Sequence, residues 1–215
     1  MSLINNRMNR GDTLIEVLFA VAVFSLVAVG SLSIMNQGAA TAQRALEITL
    51  VRQEIDAQAE ALRFLNASYI QAYQSGITNY PNTPADEWHW IKEKALANES
   101  VSDFGSMSDS GKCADSPNNS FILNTRSAKF VAPTGIGKPV PAITFSQVLY
   151  DVSDNVTSAQ GIWVEAISSP GTNDKNDPQY NAGYIDFHIR ACWDSPGQSM
   201  PVTLGTIVRL YEPRG

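Results

Sequence analysis

Nothing in the first eighty residues obliges a helix to stop. All eleven prolines fall at Pro81 or later, and proline is the residue that most firmly ends a helix, because it lacks the N–H and clashes with the preceding turn. Between Thr13 and about Tyr73 the only weak helix formers of note are Gly30 and Gly38, which a helix tolerates. The expectation is one helix of about 60 residues, roughly 90 Å long.

Its two halves differ in character. Val17–Gln43 contains no charged side chain, and Leu14–Met35, 22 residues, is the most apolar part. At about 1.5 Å per residue that run crosses a hydrocarbon layer of roughly 30 Å. Arg7 and Arg10 precede it, which places that end in the cytoplasm and sends the rest across. The run is longer than the core of a secretory signal, and no clean Ala-x-Ala site follows it. The second half is amphipathic. Val51, Ile55, Leu62, Leu65 and Tyr69 form an apolar stripe, with Arg52/Asp56 and Glu60/Arg63 at pairing distance on the helix. Such a helix buries the stripe against a domain and leaves the apolar half bare.

The remainder suits one ordinary domain. DEWHWIKEKALANE reads as a short helix and GSMSDSGKCADSPNNS as a loop. Five strand signals follow: SFILNTRSAKFV, AITFSQVLYDV, GIWVEAI, GYIDFHIRACW and TLGTIVRLY. Short connections between successive strands imply an antiparallel sheet. The fold class is therefore α+β, one long N-terminal helix packed on an antiparallel sheet.

One residue is out of place in the apolar run RMNRGDTLIEVLFAVAVFSL: Glu16. An unpaired carboxylate in hydrocarbon costs about 2.5–3.5 kcal/mol. The surrounding pattern resembles the N-terminus of the type IV prepilins and pseudopilins: a basic leader ending in Gly11, then Thr13, Leu14, Ile15, Glu16, Val17 and Leu18 ahead of an unbroken apolar helix. The detailed match covers roughly residues 7–75, and the rest shares only the family's architecture. The resemblance implies that prepilin peptidase cuts after Gly11, freeing an α-amino group on Asp12 that is a candidate for N-methylation. Glu16 would pair with the N-terminal amine of a neighbouring subunit, with Thr13 beside it in the assembly motif. It implies a leader at 1–11, a membrane and polymerisation half at 12–38, and an extracytoplasmic domain at 39–215.

Two features depart from the family pattern. Asp12 stands where phenylalanine is commonest; its charge suits a helix N-terminus but adds a negative charge beside the amine. No proline interrupts the apolar half, and Gly30 with Ser31 and Ser33 serves either as a weak point or as a packing surface for neighbouring helices. Thr13-x-x-Glu16 is also a capping box, which satisfies the helix's own first donors. Both readings of Glu16 stand together.

The net charge of −6 argues against nucleic acid and against charge-driven binding to an anionic membrane surface. Losing Arg7 and Arg10 takes the basic residues from 15 to 13 against 21 acidic ones, giving −8. Cys113 and Cys192 are too few and too distant for a zinc site. In an oxidising compartment they can close a loop of 79 residues, worth about 4 kcal/mol; in the cytosol they stay reduced. The family's outward-facing domain makes them a structural disulfide between the segment after the helix and the fourth strand signal.

The remaining motifs carry less. Arg10-Gly11-Asp12 spells an adhesion tripeptide that cleavage would split. GIGK at 135–138 lacks the upstream glycine of a phosphate loop, and Pro139 follows it. His89 and His188 have no nucleophile or orienting partner visible in sequence; His188 alternates with Asp186 and Arg190 on what reads as the polar face. Trp88-His89-Trp90 reads mainly as a cover for the end of the sheet. Asp174 and Asp177 are weak calcium candidates in a loop without EF-hand spacing. No cofactor and no catalysis are expected.

The expectation is a filament subunit of a type IV pilus or a related pseudopilus. It inserts in the cytoplasmic membrane with its N-terminus inside, and joins an extracytoplasmic filament after cleavage. Its partners would be other pilin subunits, prepilin peptidase, the inner-membrane assembly platform and, before assembly, membrane lipid. Length points to a minor pilin or pseudopilin, with a major pilin open, and roles in adhesion, twitching motility or secretion open too. The alternative is a monomeric anchored binding domain whose signal anchor is never cut; a break near Gly38 would favour it.

Overall fold

The computed structural model describes residues 12–77, 79–96, 100–101, 108–109, 112–113, 116–117, 119–131, 144–169, 183–195 and 197–213; for Asp12, Thr13, Ser108, Asp109 and Lys112 it gives the backbone alone. By compactness the chain divides into Met1–Leu46 and Glu47–Gly215.

Helix α1 runs from Asp12 to Gln74 without a break at Gly30 or Gly38. It ends where backbone chemistry dictates. Gly76 adopts φ +68°, its N–H donates to the Tyr73 carbonyl, and Ile77 N–H reaches back to Ala72, both at 3.1 Å. This left-handed stop satisfies carbonyls that the helix would otherwise leave bare. Helix α2, Pro84–Leu96, starts with proline at its first position and Asp86 and Glu87 in its first turn, and carries Lys94 in its last. Each choice suits the helix dipole or the missing donor. The Thr83 carbonyl takes the N–H groups of Asp86 and Glu87.

Nine strands follow among the described residues. They are β1 Ser108–Asp109, β2 Lys112–Cys113, β3 Ile122–Asn124, β4 Lys129–Val131, β5 Gln147–Tyr150, β6 Val156–Gln160, β7 Ile162–Ser169, β8 Tyr184–Trp193 and β9 Val202–Tyr211. All pairings are antiparallel: β1–β2, β3–β4, β5–β6 and the three-stranded β7–β8–β9. Phe121 bridges to Val164 through two main-chain bonds of 2.8 and 2.9 Å, joining the start of β3 to the outer edge of β7.

Three readings need correction. GSMSDSGKCADSPNNS, read as a loop, holds the short antiparallel pair β1–β2. SFILNTRSAKFV is a hairpin rather than one strand. The Asn124 side-chain oxygen accepts the N–H groups of Arg126 and Ser127, and Ala128 takes φ +51°, so the chain reverses between β3 and β4. Strand β6 carries no strand signal in sequence, since VTSAQ is short and mostly small or polar. It forms because Asp151 organises the turn before it, accepting from the N–H groups of Ser153 and Asn155, and because β5 supplies its partner.

The main core among the described residues lies within 47–215. The stripe residues Val51, Ile55, Leu62 and Leu65 are buried in it together with Ala59 and Ala61, and Tyr69 packs at its margin. They meet the inner face of the three-stranded sheet: Ile185, Phe187, Ile189 and Ala191 of β8, with Val208 of β9. Trp88 closes the core from α2, fully buried, its ring 5.6 Å from Phe187 and 6.4 Å from Tyr69. Trp90 is exposed. The three-residue aromatic motif is thus split between core and surface.

Candidate functional site

The candidate site is the first half of α1. Its apolar side chains are bare among the described residues: Phe19, Phe24, Leu26, Ile34 and Met35 are each more than 70% exposed. The helix is long and apolar enough to cross a membrane, and its most apolar stretch is wholly unburied. Burying one such side chain gains roughly 1.5–3 kcal/mol, so this surface strongly favours lipid or other apolar helices over water.

Three hydroxyls along this half of the helix are satisfied within it. Ser25 donates to the Val21 carbonyl at 2.7 Å and Ser31 to Val27 at 2.8 Å; Thr41 donates to Gln37 at 2.9 Å. Each hydroxyl proton is satisfied one turn back, which lowers the cost of placing it in an apolar medium. Gly30 and Gly38 would have open space around an added Cβ. This chain's own packing therefore gives no reason for either glycine.

Glu16 sits in the second turn of α1, exposed among Leu14, Ile15, Val17 and Leu18. Asp12 and Thr13 are helical, but their side chains, like Gly11, Arg7 and Arg10, lie outside the described residues. So do Asp174, Asp177 and GIGK 135–138.

Residues 6–32 match the family described as Prokaryotic N-terminal methylation motif. The chain carries the type IV prepilin signature. The match covers the residues on which the resemblance rests, Gly11 and Thr13–Leu18 included, and supports a pilin-like or pseudopilin-like prepilin, a structural subunit family rather than an enzyme family. The signature is joined to an α+β arrangement of long helix and antiparallel sheets. The apolar helix that follows it fits membrane anchoring before assembly. No curated protein and no solved structure matches the chain.

The second half of α1 is fixed to its domain by polar groups that an apolar stripe does not reveal. Glu47 is buried and accepts from the Trp193 indole N–H at 3.2 Å and the Ser195 hydroxyl at 2.6 Å. Gln58, fully buried, donates to the Leu123 carbonyl at 2.8 Å and accepts Leu123 N–H at 2.9 Å. The Asn66 amide donates to the Tyr211 carbonyl at 3.3 Å. All three occupy positions of the same stripe, three or four residues apart from its apolar members. That spacing was the available signal. Glu54, half-buried nearby, has its carboxyl pushed above the usual range by burial, against the pull of Arg126 and the Val148 backbone.

The outer face of the three-stranded sheet is more structured than alternation suggested. Arg190 is buried, not solvated, and lies 3.6 Å from Glu165, itself buried and accepting the Trp163 indole N–H at 3.0 Å. Arg209 grips Asp186 with two bonds of 2.8 Å and lies 3.9 Å over the Tyr184 ring. His188 is half-buried between these groups; burial first, and then Arg190, depress its pKa, with Asp186 and Glu165 opposing. Cys113 and Cys192 are joined, tying β2 to β8 and covering Trp163.

Proposed function

We propose that this chain is a filament subunit: made as a membrane-inserted prepilin, cut after Gly11, and assembled through the apolar half of α1. One observation carries the reading. The prepilin signature runs straight into a continuous helix whose apolar side chains are exposed among the described residues. In the membrane, lipid covers it; in a filament, copies of the same helix do. Glu16 is then costly wherever it lacks a partner. The amine freed on Asp12 of a neighbouring subunit supplies one only in the correct register, so Glu16 selects that register. Methylation of Asp12 belongs to the same proposal, as do processing by prepilin peptidase and handling by the inner-membrane assembly platform. The domain beyond the membrane then decorates the filament outside. Length favours a minor pilin or pseudopilin.

The continuity of α1 through Gly38 supports this reading over an anchor tethered by a flexible linker. The deciding experiment is the intact mass and N-terminal sequence of the protein from membrane and sheared-surface fractions. A chain beginning at Asp12 in the sheared fraction is the expected result, and an extra methyl group would show that the methylase accepts aspartate. A chain beginning at Met1 and confined to membranes would overturn the proposal.

A further inference from the structure

The outer face of the three-stranded sheet carries a second, smaller cluster apart from the main core: Trp163 and Cys192, both buried, with Cys113 packed against them. This cluster adjoins two buried charges. The Trp163 indole N–H donates to Glu165 at 3.0 Å, and Glu165 lies 3.6 Å from Arg190. The register sets Arg190 directly across from Trp163. Shielding a carboxylate and a guanidinium from water is costly even when they are paired. Water therefore enters this face readily once its cover is loosened.

The strand pair that carries Cys113 is slight. Strands β1 and β2 have two residues each, in the register Ser108↔Cys113 and Asp109↔Lys112. A two-stranded pair is marginal by itself in water. Its covalent tie to β8 is the bond from Cys113 to Cys192. Without that bond, keeping the pair in place must order its backbone in return for burying one thiol and one face of an indole. Ser116, three residues beyond Cys113, is buried. Three residues of chain reach about 10 Å, so Cys113 can swing clear of Trp163 while Ser116 stays anchored.

We infer that Cys113–Cys192 is a redox latch on the outer face of the sheet. Oxidised, it holds the β1–β2 pair over Trp163. Reduced, it lets that pair lift and admits water to Trp163, Glu165 and Arg190, while the main core stays folded. In the reducing step a dithiol reductant becomes a disulfide. Its two electrons and two protons go to the protein's S–S bond, which breaks and leaves a thiol on each cysteine. The core has its own polar ties: Gln58 holds Leu123, and Glu47 holds Trp193 and Ser195. The face thus closes where disulfides persist and stays open in a reducing compartment. The latch does not depend on the filament reading.

The test uses the full chain in detergent micelles at room temperature, with and without a dithiol. Reduction should move the tryptophan emission to longer wavelength. Trp163→Phe should abolish that shift, since Trp88 and Trp193 belong to the main core and Trp90 is already exposed. Iodoacetamide should then alkylate Cys192, which is fully buried in the oxidised chain. The far-ultraviolet circular dichroism should stay unchanged and the Leu123 amide should stay protected from hydrogen exchange, because local opening spares the core. Reoxidation should reverse the emission shift. An unshifted emission with Cys192 protected would mean that the face stays shut without its bond. Loss of the circular dichroism and of Leu123 protection would mean that the bond staples the whole domain. Either result overturns the inference.

Discussion

Gln58 and Leu123 meet as a strand meets a strand: the side-chain amide of one takes both the N–H and the C=O of the other, at 2.9 and 2.8 Å. A helix has no free backbone groups in mid-course, so a side chain with one donor and one acceptor stands in for them. Replacing Gln58 by Met keeps the volume and removes both bonds. Two buried main-chain groups then lose their partners at about 1–3 kcal/mol each. Chemical denaturation of the full chain in detergent should show Gln58→Met destabilised by about 2–6 kcal/mol, whereas exposed Gln53→Met should change little.

Glu16 should matter to assembly and not to folding. Glu16→Ala is expected to insert and be processed normally. Its incorporation into sheared filaments should fall about tenfold, the loss of one charge-assisted bond in an apolar setting. Quantitative immunoblots of membrane and sheared fractions decide it, and undiminished incorporation would end the assembly role.

Gly30 and Gly38 each weaken a helix by about 1 kcal/mol relative to alanine, and a Cβ at either meets nothing within the chain. Gly30→Ala should therefore raise helix stability in micelles by circular dichroism while reducing filament yield. If yield is unchanged, neighbouring helices do not need that gap.

Breaking the Cys113–Cys192 bond should lower stability by about 4 kcal/mol on the loop-entropy account. Thermal unfolding with and without reductant measures this directly. Cys113→Ser with Cys192→Ser should unfold at the reduced protein's temperature in both buffers.

His188 makes stability depend on pH. Its folded pKa is lowered from 6.5, so the unfolded chain binds the proton more readily. The contribution is complete above about pH 6.5 and is lost as pH falls through the lowered folded value. His188→Gln should flatten the fall in stability between about pH 7 and pH 5. A slope equal to wild type would place the effect elsewhere.

Much of this molecule was legible before any coordinates. A charge-free run and the absence of proline set α1 almost to its ends, and helical spacing found Val51, Ile55, Leu62 and Leu65. Those signals are periodic and local. What escaped was set by partners distant in sequence. Glu47, Gln58 and Asn66 look like polar interruptions until Trp193, Leu123 and Tyr211 arrive to meet them. Arg190 reads as a surface charge until Glu165 is brought alongside. The β3–β4 reversal depended on one asparagine oxygen and on alanine adopting a left-handed turn, a conformation with no residue signature there. At the candidate site, the motif itself was plain in residues 7–18, because its meaning lies in order and spacing.

The Glu47 clasp on Trp193 and Ser195 also says where the protein can be cut. A recombinant fragment made soluble by trimming the greasy end has to keep Glu47. A fragment starting even a few residues later strands a buried indole and hydroxyl without an acceptor, and one starting past Gln58 uncovers the flank of β3 as well. Solubility and integrity thus pull the scissors in opposite directions, and the workable margin for trimming lies between Met35 and Glu47.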